Sequence, residues 1–315
     1  MSRNVILLGD PQGRYVQRLL NSAPSGVVAR VAEFSSIGTA LGSSSGKPTP
    51  CKPTPCKPTP CEPTECISIG GESLKRGDIV LVRSMSRGSL ESIVFRMDVL
   101  AALERQGVLV YNPARSLELA IDKYLSLSRL AAAGFPVPPT HVSETDAEAL
   151  RGFVALGSDV VVKPLFGSEG RGLMRICDFD HAARVFRSLE SLGHVIYQQS
   201  FIDHGGKDYR ILVIGDRHWV VERRRENDWR TNHSLGGKCF QTTLDPSGIE
   251  LARNATDQMG LFYAGVDLIR DPATGKFWII EANGVPGWDG VAQAYGQAIE
   301  PEIWRDVLQR ATVHQ

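Results

Sequence analysis

The stretch Gly265-Val-Asp-Leu-Ile-Arg-Asp-Pro-Ala-Thr-Gly-Lys-Phe-Trp-Ile-Ile-Glu-Ala-Asn283 carries the strongest signal in the chain. Apolar residues flank a Pro/Gly turn, a pattern that predicts two antiparallel strands. A turn centred on Thr274 places Asp267 directly opposite Glu281. Like charges facing each other across a sheet are destabilising, so such a pair calls for a reason. Glu281 and Asn283 are two residues apart and project from one strand face. Two carboxylates and an amide oxygen thus converge on one spot. Hard oxygen ligands of this kind suit magnesium, with phosphate oxygens completing the shell. The alternative is a solvated surface hairpin, but the apolar content of both strands argues against full exposure.

Outward from the hairpin, the chain divides by composition and pattern. Asn4 to Gly9 predicts a buried strand, residues 13–23 a helix and Val28 to Phe34 a second strand. Strands over Asp78–Arg83 and Val108–Tyr111 flank a helix over Ser89–Gln106 that ends at a glycine. This alternation predicts a small α/β domain over residues 1–115. Ser116 to Ala133 has helical periodicity and stops at Gly134-Phe-Pro-Val-Pro-Pro. A strand at Val160–Val162, a helix over 180–192 and a strand over His194–Gln199 follow. A hairpin over Tyr209–Ile214 and His218–Arg223 and a helix over Ile249–Met259 lead into the opening stretch. Runs of strands rather than strict alternation predict an α+β second half.

The chain has 315 residues, with 35 Lys+Arg and 35 Asp+Glu, so its formal net charge is zero. No basic field favours nucleic acid. No run of about 18 apolar residues predicts a membrane span. The N-terminus lacks a signal core, so a cytoplasmic protein is expected. Four of the six cysteines, Cys51, Cys56, Cys61 and Cys66, close near-copies of Lys-Pro-Thr-Pro-Cys. Zinc sites usually use tighter pairs separated by a longer loop. The uniform period reads instead as an expanded repeat in a disordered insertion over about 38–66, and Pro-Thr-Pro segments cannot pack a core. A shortened loop there should leave catalysis unchanged.

Lys163 precedes Gly167, Gly170 and Gly172, a strand feeding a glycine-rich loop. Glycines let backbone N–H groups approach phosphate, and a lysine adds a point charge. Glycine-rich hairpin tips are also common, so the loop alone leaves both readings open. Arg223, Arg224 and Arg225 end one strand, and Arg230 precedes Gly236-Gly237. Several arginines near a carboxylate hairpin suit the joint neutralisation of phosphate and substrate carboxylate. His233 is a general-base candidate or an ordinary loop histidine. Cys177 and Cys239 read as core or near-core thiols.

In order, Asp122-Lys123, Val161-Val-Lys163, Gly167-Ser168-Glu-Gly170-Arg-Gly172, Gln199-Ser-Phe201-Ile202, Asp208-Tyr-Arg210, Arg230-Thr-Asn232, Gly236-Gly237, Gly265-Val-Asp267 and Glu281-Ala-Asn283 resemble the ATP-grasp fold, and within it the RimK-type glutamate ligases. The resemblance spans residues 74–300. It implies an N-terminal α/β domain followed by two α+β subdomains, 116–195 and 196–315, that clamp ATP. Lys123 and Lys163 would contact its phosphates beside Gly167, Ser168, Gly170 and Gly172. Gln199 to Ile202, including Phe201, would form the adenine hinge, with Asp208 near the ribose and Arg210 beside it. Arg230 and Asn232 would border the phosphates and, with Lys163, stand at the reacting groups. Asp267, Glu281 and Asn283 would hold magnesium, or manganese in its place. The implied reaction joins an amino acid, glutamate by family, to a carboxylate acceptor through an acyl phosphate. The acceptor could be a protein, a carrier or a small pterin-type molecule, and a homo-oligomer is compatible with the family.

The family pattern Asn-Leu-His-Arg-Gly-Gly reads Asn232-His-Ser-Leu-Gly-Gly here, and Ser200 follows the hinge glutamine. These departures bear on the incoming amine rather than on ATP or metal. A catalytically inactive nucleotide-binding module of the same fold is the other reading. The intact Asp267, Glu281, Asn283 and Lys163 argue against it.

Overall fold

A computed structural model describes residues 3–41, 65–85, 88–167, 172–226, 228–232 and 236–314. It divides into two compact units, Met1–Ala114 with Val307–Gln315, and Arg115–Asp306. No helix among the described residues is long and apolar enough to cross a membrane.

The first unit is built on a parallel sheet. Strands β1 (Arg3–Leu8) and β2 (Val27–Ala32) are joined through helix α1 (Arg14–Asn21). Strands β6 (Ile79–Val82) and β7 (Leu109–Tyr111) are joined through α2 (Leu90–Arg105), and the sheet order is β2-β1-β6-β7. Val5–Leu8 and Ile79–Val82 are unbroken apolar runs and fully buried, as strands covered on both faces require. A second, antiparallel sheet contains β3 (Ile37–Leu41), β4 (Glu65–Ile69) and β5 (Glu72–Ser73). The expected insertion over 38–66 is therefore narrower than its composition suggests. Ala40 pairs with Cys66, and Leu41 with Glu65, so both ends of the segment are strand. Alternating Ile67 and Ile69 are buried and anchor β4. Cys51, Cys56 and Cys61 lie outside the described residues, and the disorder expected there lies outside them with these three.

In the second unit the helix expected over 116–133 is two. Helix α3 (Ala114–Ile121) starts at the unit boundary, and α4 (Lys123–Ala132) follows after Asp122. Asp122 is extended, and its Oδ1 accepts from Leu125 N at 2.9 Å, an N-cap. The cap makes Lys123 the first residue of α4. Asp122→Ala should cost about 1 kcal/mol by removing this cap. Chemical denaturation measures it, and an unchanged midpoint would show that the cap contributes nothing.

Strand β8 (Thr140–Ser143) and helix α5 (Asp146–Ala155), neither expected from periodicity, precede β9 (Val160–Lys163). Thr145 caps α5 by accepting from Glu148 N at 3.3 Å. Strand β10 (Met174–Ile176), α6 (Phe179–Ser191) and β11 (Ile196–Ser200) complete a sheet ordered β10-β9-β11-β8. Helices α5 and α6 cover one face through Phe153, Phe186, Val160, Val162 and Ile196. Since β11 pairs with β9 and β8, the division expected at residue 195 falls one strand too early.

The larger sheet is antiparallel and ordered β14-β13-β12-β15-β16. Its strands are β12 (Lys207–Ile214), β13 (Arg217–Arg224), β14 (Lys238–Gln241), β15 (Tyr263–Arg270) and β16 (Phe277–Asn283). Helix α7 (Pro246–Gln258) separates β14 from β15, and α8 (Asp289–Tyr295) and α9 (Glu300–Val313) end the chain. Ile211, Val213, Val220, Val266, Leu268 and Ile279 pack with residues of α4 and α7 in one core. With period two, that packing leaves Asp208, Arg210, Arg223 and Asp267 on the opposite face.

Candidate functional site

The opening hairpin folds as its sequence predicts, with one added device. Asp267 pairs with Glu281, but the next rung outward joins Leu268 to Ile279, so Ile280 is an extra residue in β16. Strict alternation would put Glu281 on the face of Ile279, which is core. The bulge at Ile280 changes the face, and Glu281 and Asn283 emerge beside Asp267 while Ile279 stays buried. Bulges next to functional sites often re-aim a side chain in this way.

The two carboxylates are not left to repel each other. Both Asp267 oxygens are taken by the Arg210 guanidinium, Nη2 reaching Oδ2 at 2.8 Å, and Arg223 Nη2 lies 3.0 Å from the same oxygen. Arg210 is the direct cross-strand neighbour of Asp267. Arg223 in turn grips Asp208, its own cross-strand partner, with Nε donating to Oδ1 at 2.6 Å. Burial alone would raise the Asp267 pKa, but Arg210 and Arg223 outweigh it and hold the carboxyl below its ordinary value. Gly265 leaves the room this needs: a Cβ there would meet the Arg210 guanidinium and sit 2.8 Å from Pro286 Cβ. Asn283, opposite Gly265, accepts from Val285 N at 2.8 Å through Oδ1.

The other sheet supplies cations to the same cleft. Lys163 ends β9 and is buried, its Nζ donating to Gln199 Oε1 at 2.8 Å. Gln199 Nε2 donates to Thr140 Oγ1 at 3.0 Å, so β8, β9 and β11 all fix this ammonium. Burial pushes the Lys163 pKa down to about 8; nearby Lys123 adds to the fall, while Glu281 and Asp267 oppose it. Lys123 is lowered by burial as well, against Glu281 and Asp122, and its Nζ donates to the Gly167 carbonyl.

A cleft enclosing about 860 Å³ of space open to solvent joins these groups. Lys123, Lys163, Gly167, Gln199 and Phe201 line it, as do Asp208, Arg230, Asn232, Asp267 and Glu281. Of the remaining expected residues, Arg210 and Asn283 stand on the same sheet face but do not line the cleft. Gly172 packs against Pro164, whose Cγ would lie 2.9 Å from a Cβ there. Ser168 and Gly170 lie outside the described residues, with His233 and Leu235. Arg230 is braced by Asp228 through Nη2 at 2.9 Å.

The lining also contains residues with no prior signal for this site. Trp229 stands nearly perpendicular to Phe201, 87° between planes and 5.9 Å between centroids. His204 lines the cleft and engages the Lys207 carbonyl through Nδ1 at 2.8 Å, which requires the proton on Nδ1. Burial lowers its pKa, against the opposing pull of Asp208, the Lys207 carbonyl and Asp203. The sequence placed Arg223 only at a strand end; its partner Asp208 was the missing clue.

One end of the cleft is thus aromatic and apolar, and the other holds two ammonium groups facing two carboxylates. Such a site accepts a long ligand with a flat apolar head and a polyanionic tail. The donor set also fits a divalent ion. Asp267, Glu281 and Asn283 are hard oxygen donors of the kind such an ion takes.

The family described as the RimK-like ATP-grasp domain matches residues 120–307. The chain is 30% identical over 247 residues to tetrahydromethanopterin:alpha-L-glutamate ligase of Methanosarcina acetivorans, covering 70% of this chain and 76% of that one. It is 32% identical over 189 residues to alpha-aminoadipate–LysW ligase LysX of Saccharolobus solfataricus, covering 58% and 68%. Among solved structures, the ATP-grasp ligase PsnB complexed with minimal precursor superposes with a TM-score of 0.71 at 18% identity, over 98% of this chain and 99% of that one. D-alanine–D-alanine ligase from Bacillus anthracis complexed with ATP gives 0.65 at 15% identity over 100% of both chains. At those identities the solved structures speak to the fold alone. The family match and the first relative together reach further, and the chain belongs to the RimK-like ATP-grasp family of ligases.

Proposed function

We propose that the protein is an ATP- and magnesium-dependent carboxylate–amine ligase that adds glutamate or a related amino acid to a carboxylate acceptor. The observation that carries this reading is the meeting of Lys123 and Lys163 with Asp267 and Glu281 in one cleft that also has an aromatic end. The relatives support the amine class, since two are named for glutamate and aminoadipate ligation.

In this reading Phe201, Trp229 and Ile202 receive the adenine, and Lys123 and Lys163 hold the phosphates. Asp267, Glu281 and Asn283 would hold magnesium, which would supply positive charge to offset the negative charge of the phosphates. Asp267 Oδ1 accepts from Arg210 Nε and would keep a lone pair for the ion with both arginines in place. A carboxylate oxygen of the acceptor attacks the γ-phosphorus and ADP leaves. The amine then attacks the acyl carbon and inorganic phosphate departs. No side-chain nucleophile is needed, so Lys163, Arg230 and Asn232 act by positioning and by stabilising charge on the transferring group.

Phosphate release from ATP across a panel of amino acids and carboxylate acceptors, with mass spectrometry of the products, tests this function. An amide product formed in step with ADP is expected. ATP binding without turnover for any pair would favour the inactive module instead.

The state of Lys163 gives a pH prediction. Its folded pKa, about 8, lies below the ordinary 10.5. Between these values the unfolded chain binds more protons, so the cost of burying this ammonium is present at neutral pH and fades as pH rises through the window. ATP affinity should move the other way. Above pH about 8 the free protein loses the Lys163 charge, and ATP binding should weaken. Calorimetric titration from pH 7 to pH 9.5 checks this. A slope as steep in Lys163→Met as in the wild type would assign the effect to another group.

A further inference from the structure

Resting on the reading of the cleft as a nucleotide site, we infer that Arg175 and Asp159 form a brace that positions Phe201 and so shapes the nucleobase end of the site. Neither residue lines the cleft. Both sit at the end of the β10-β9-β11 sheet from which Phe201 leaves β11. Arg175 shares a cross-strand row with Val161 and Gln199, two residues that do line the cleft.

Three contacts close the brace. The Arg175 guanidinium carbon lies 3.5 Å from the Phe201 ring centroid, flat-packing distance. Asp159 holds that guanidinium at both ends, Nε to Oδ1 at 2.8 Å and Nη2 to Oδ2 at 2.7 Å. Its main-chain oxygen accepts from Phe201 N at 2.9 Å. One residue therefore fixes the backbone of Phe201 and, through Arg175, the ring. Phe201 then presents a fixed surface to Trp229 and to the cleft. The Arg175 and Asp159 side chains are 38% and 37% exposed. Ion pairs that exposed contribute little to global stability, so folding alone gives weak reason for so complete a geometry. A planar guanidinium both stacks on a ring and forks onto a carboxylate, which an ammonium cannot do.

The test compares binding of ATP with binding of inorganic tripolyphosphate, each with magnesium, by calorimetry on the full chain. Arg175→Met should weaken ATP roughly fivefold to tenfold, the range expected for a cation–aromatic contact, and leave tripolyphosphate within about twofold. Asp159→Asn should do the same without touching the ring. The double variant should be no worse than either single one, because both remove one device. Arg175→Lys should restore only part of the loss. Equal weakening of both ligands, or unchanged ATP affinity in both single variants, would overturn the brace while leaving the nucleotide site standing. A wild-type protein that binds neither ligand would overturn the nucleotide reading and the brace with it.

Discussion

Lys163→Met lowers turnover by about 10²–10³-fold at saturating ATP while the protein stays folded, the scale of losing one preorganised charge from a water-poor site. Methionine keeps much of the side-chain volume but removes the ammonium that lies 5.7 Å from the Tyr197 ring centroid. What is lost is an ammonium pinned to Gln199 at 2.8 Å. Folding should suffer little or even gain, because burying that charge is costly: its pKa falls to about 8. Turnover and thermal unfolding measured together separate the two effects. Full activity in Lys163→Met would remove this residue from the phosphate site.

Glu281→Gln should abolish magnesium-dependent turnover, with a loss of at least about 10²-fold that raised magnesium only partly recovers. The amide keeps the shape and removes the negative charge. The partner carboxylate behaves differently. Asp267 is buried and paired with Arg210 and Arg223, so Asp267→Asn leaves Arg210 against a neutral partner while Arg223 keeps Asp208. Breaking such a pair costs about 3 kcal/mol or more, and unfolding should move visibly. Glu281→Gln is therefore the cleaner probe of the metal, and the double Asp267→Asn, Glu281→Gln variant combines lost chemistry with lost stability. Magnesium titrations of both single variants, with unfolding curves, check the contrast. A Glu281→Gln protein with wild-type magnesium dependence would place the ion elsewhere.

Much of the site could be read in the sequence because its residues lie on regular strands. Period two and a short turn were enough to face Asp267 with Glu281. The bulge at Ile280 could not be read: nothing in Trp-Ile-Ile-Glu marks which isoleucine is extra, and only core packing of Ile279 decides it. Nor was it legible that Arg210 and Arg223 neutralise Asp267, since that depends on which strands neighbour each other. Asp122 was in plain view as a helix cap, yet the periodicity on either side hid the break. Composition misjudged the insertion for a similar reason. The Gly/Ser-rich run after Leu41 made residues 38–41 look like linker, but Ile67 and Ile69 give the paired strands a buried face. The segment Thr140–Ala155 was missed because β8 is short and half-exposed, with too little alternation to register.

The central claim is that the acceptor carboxylate itself takes the γ-phosphoryl group. An acceptor labelled with ¹⁸O in its carboxylate tests this most directly, with mass analysis of the products. The account predicts ADP, amide and inorganic phosphate, with one labelled oxygen carried from the carboxylate into the phosphate. AMP formed in step with the amide, or unlabelled inorganic phosphate, would contradict it.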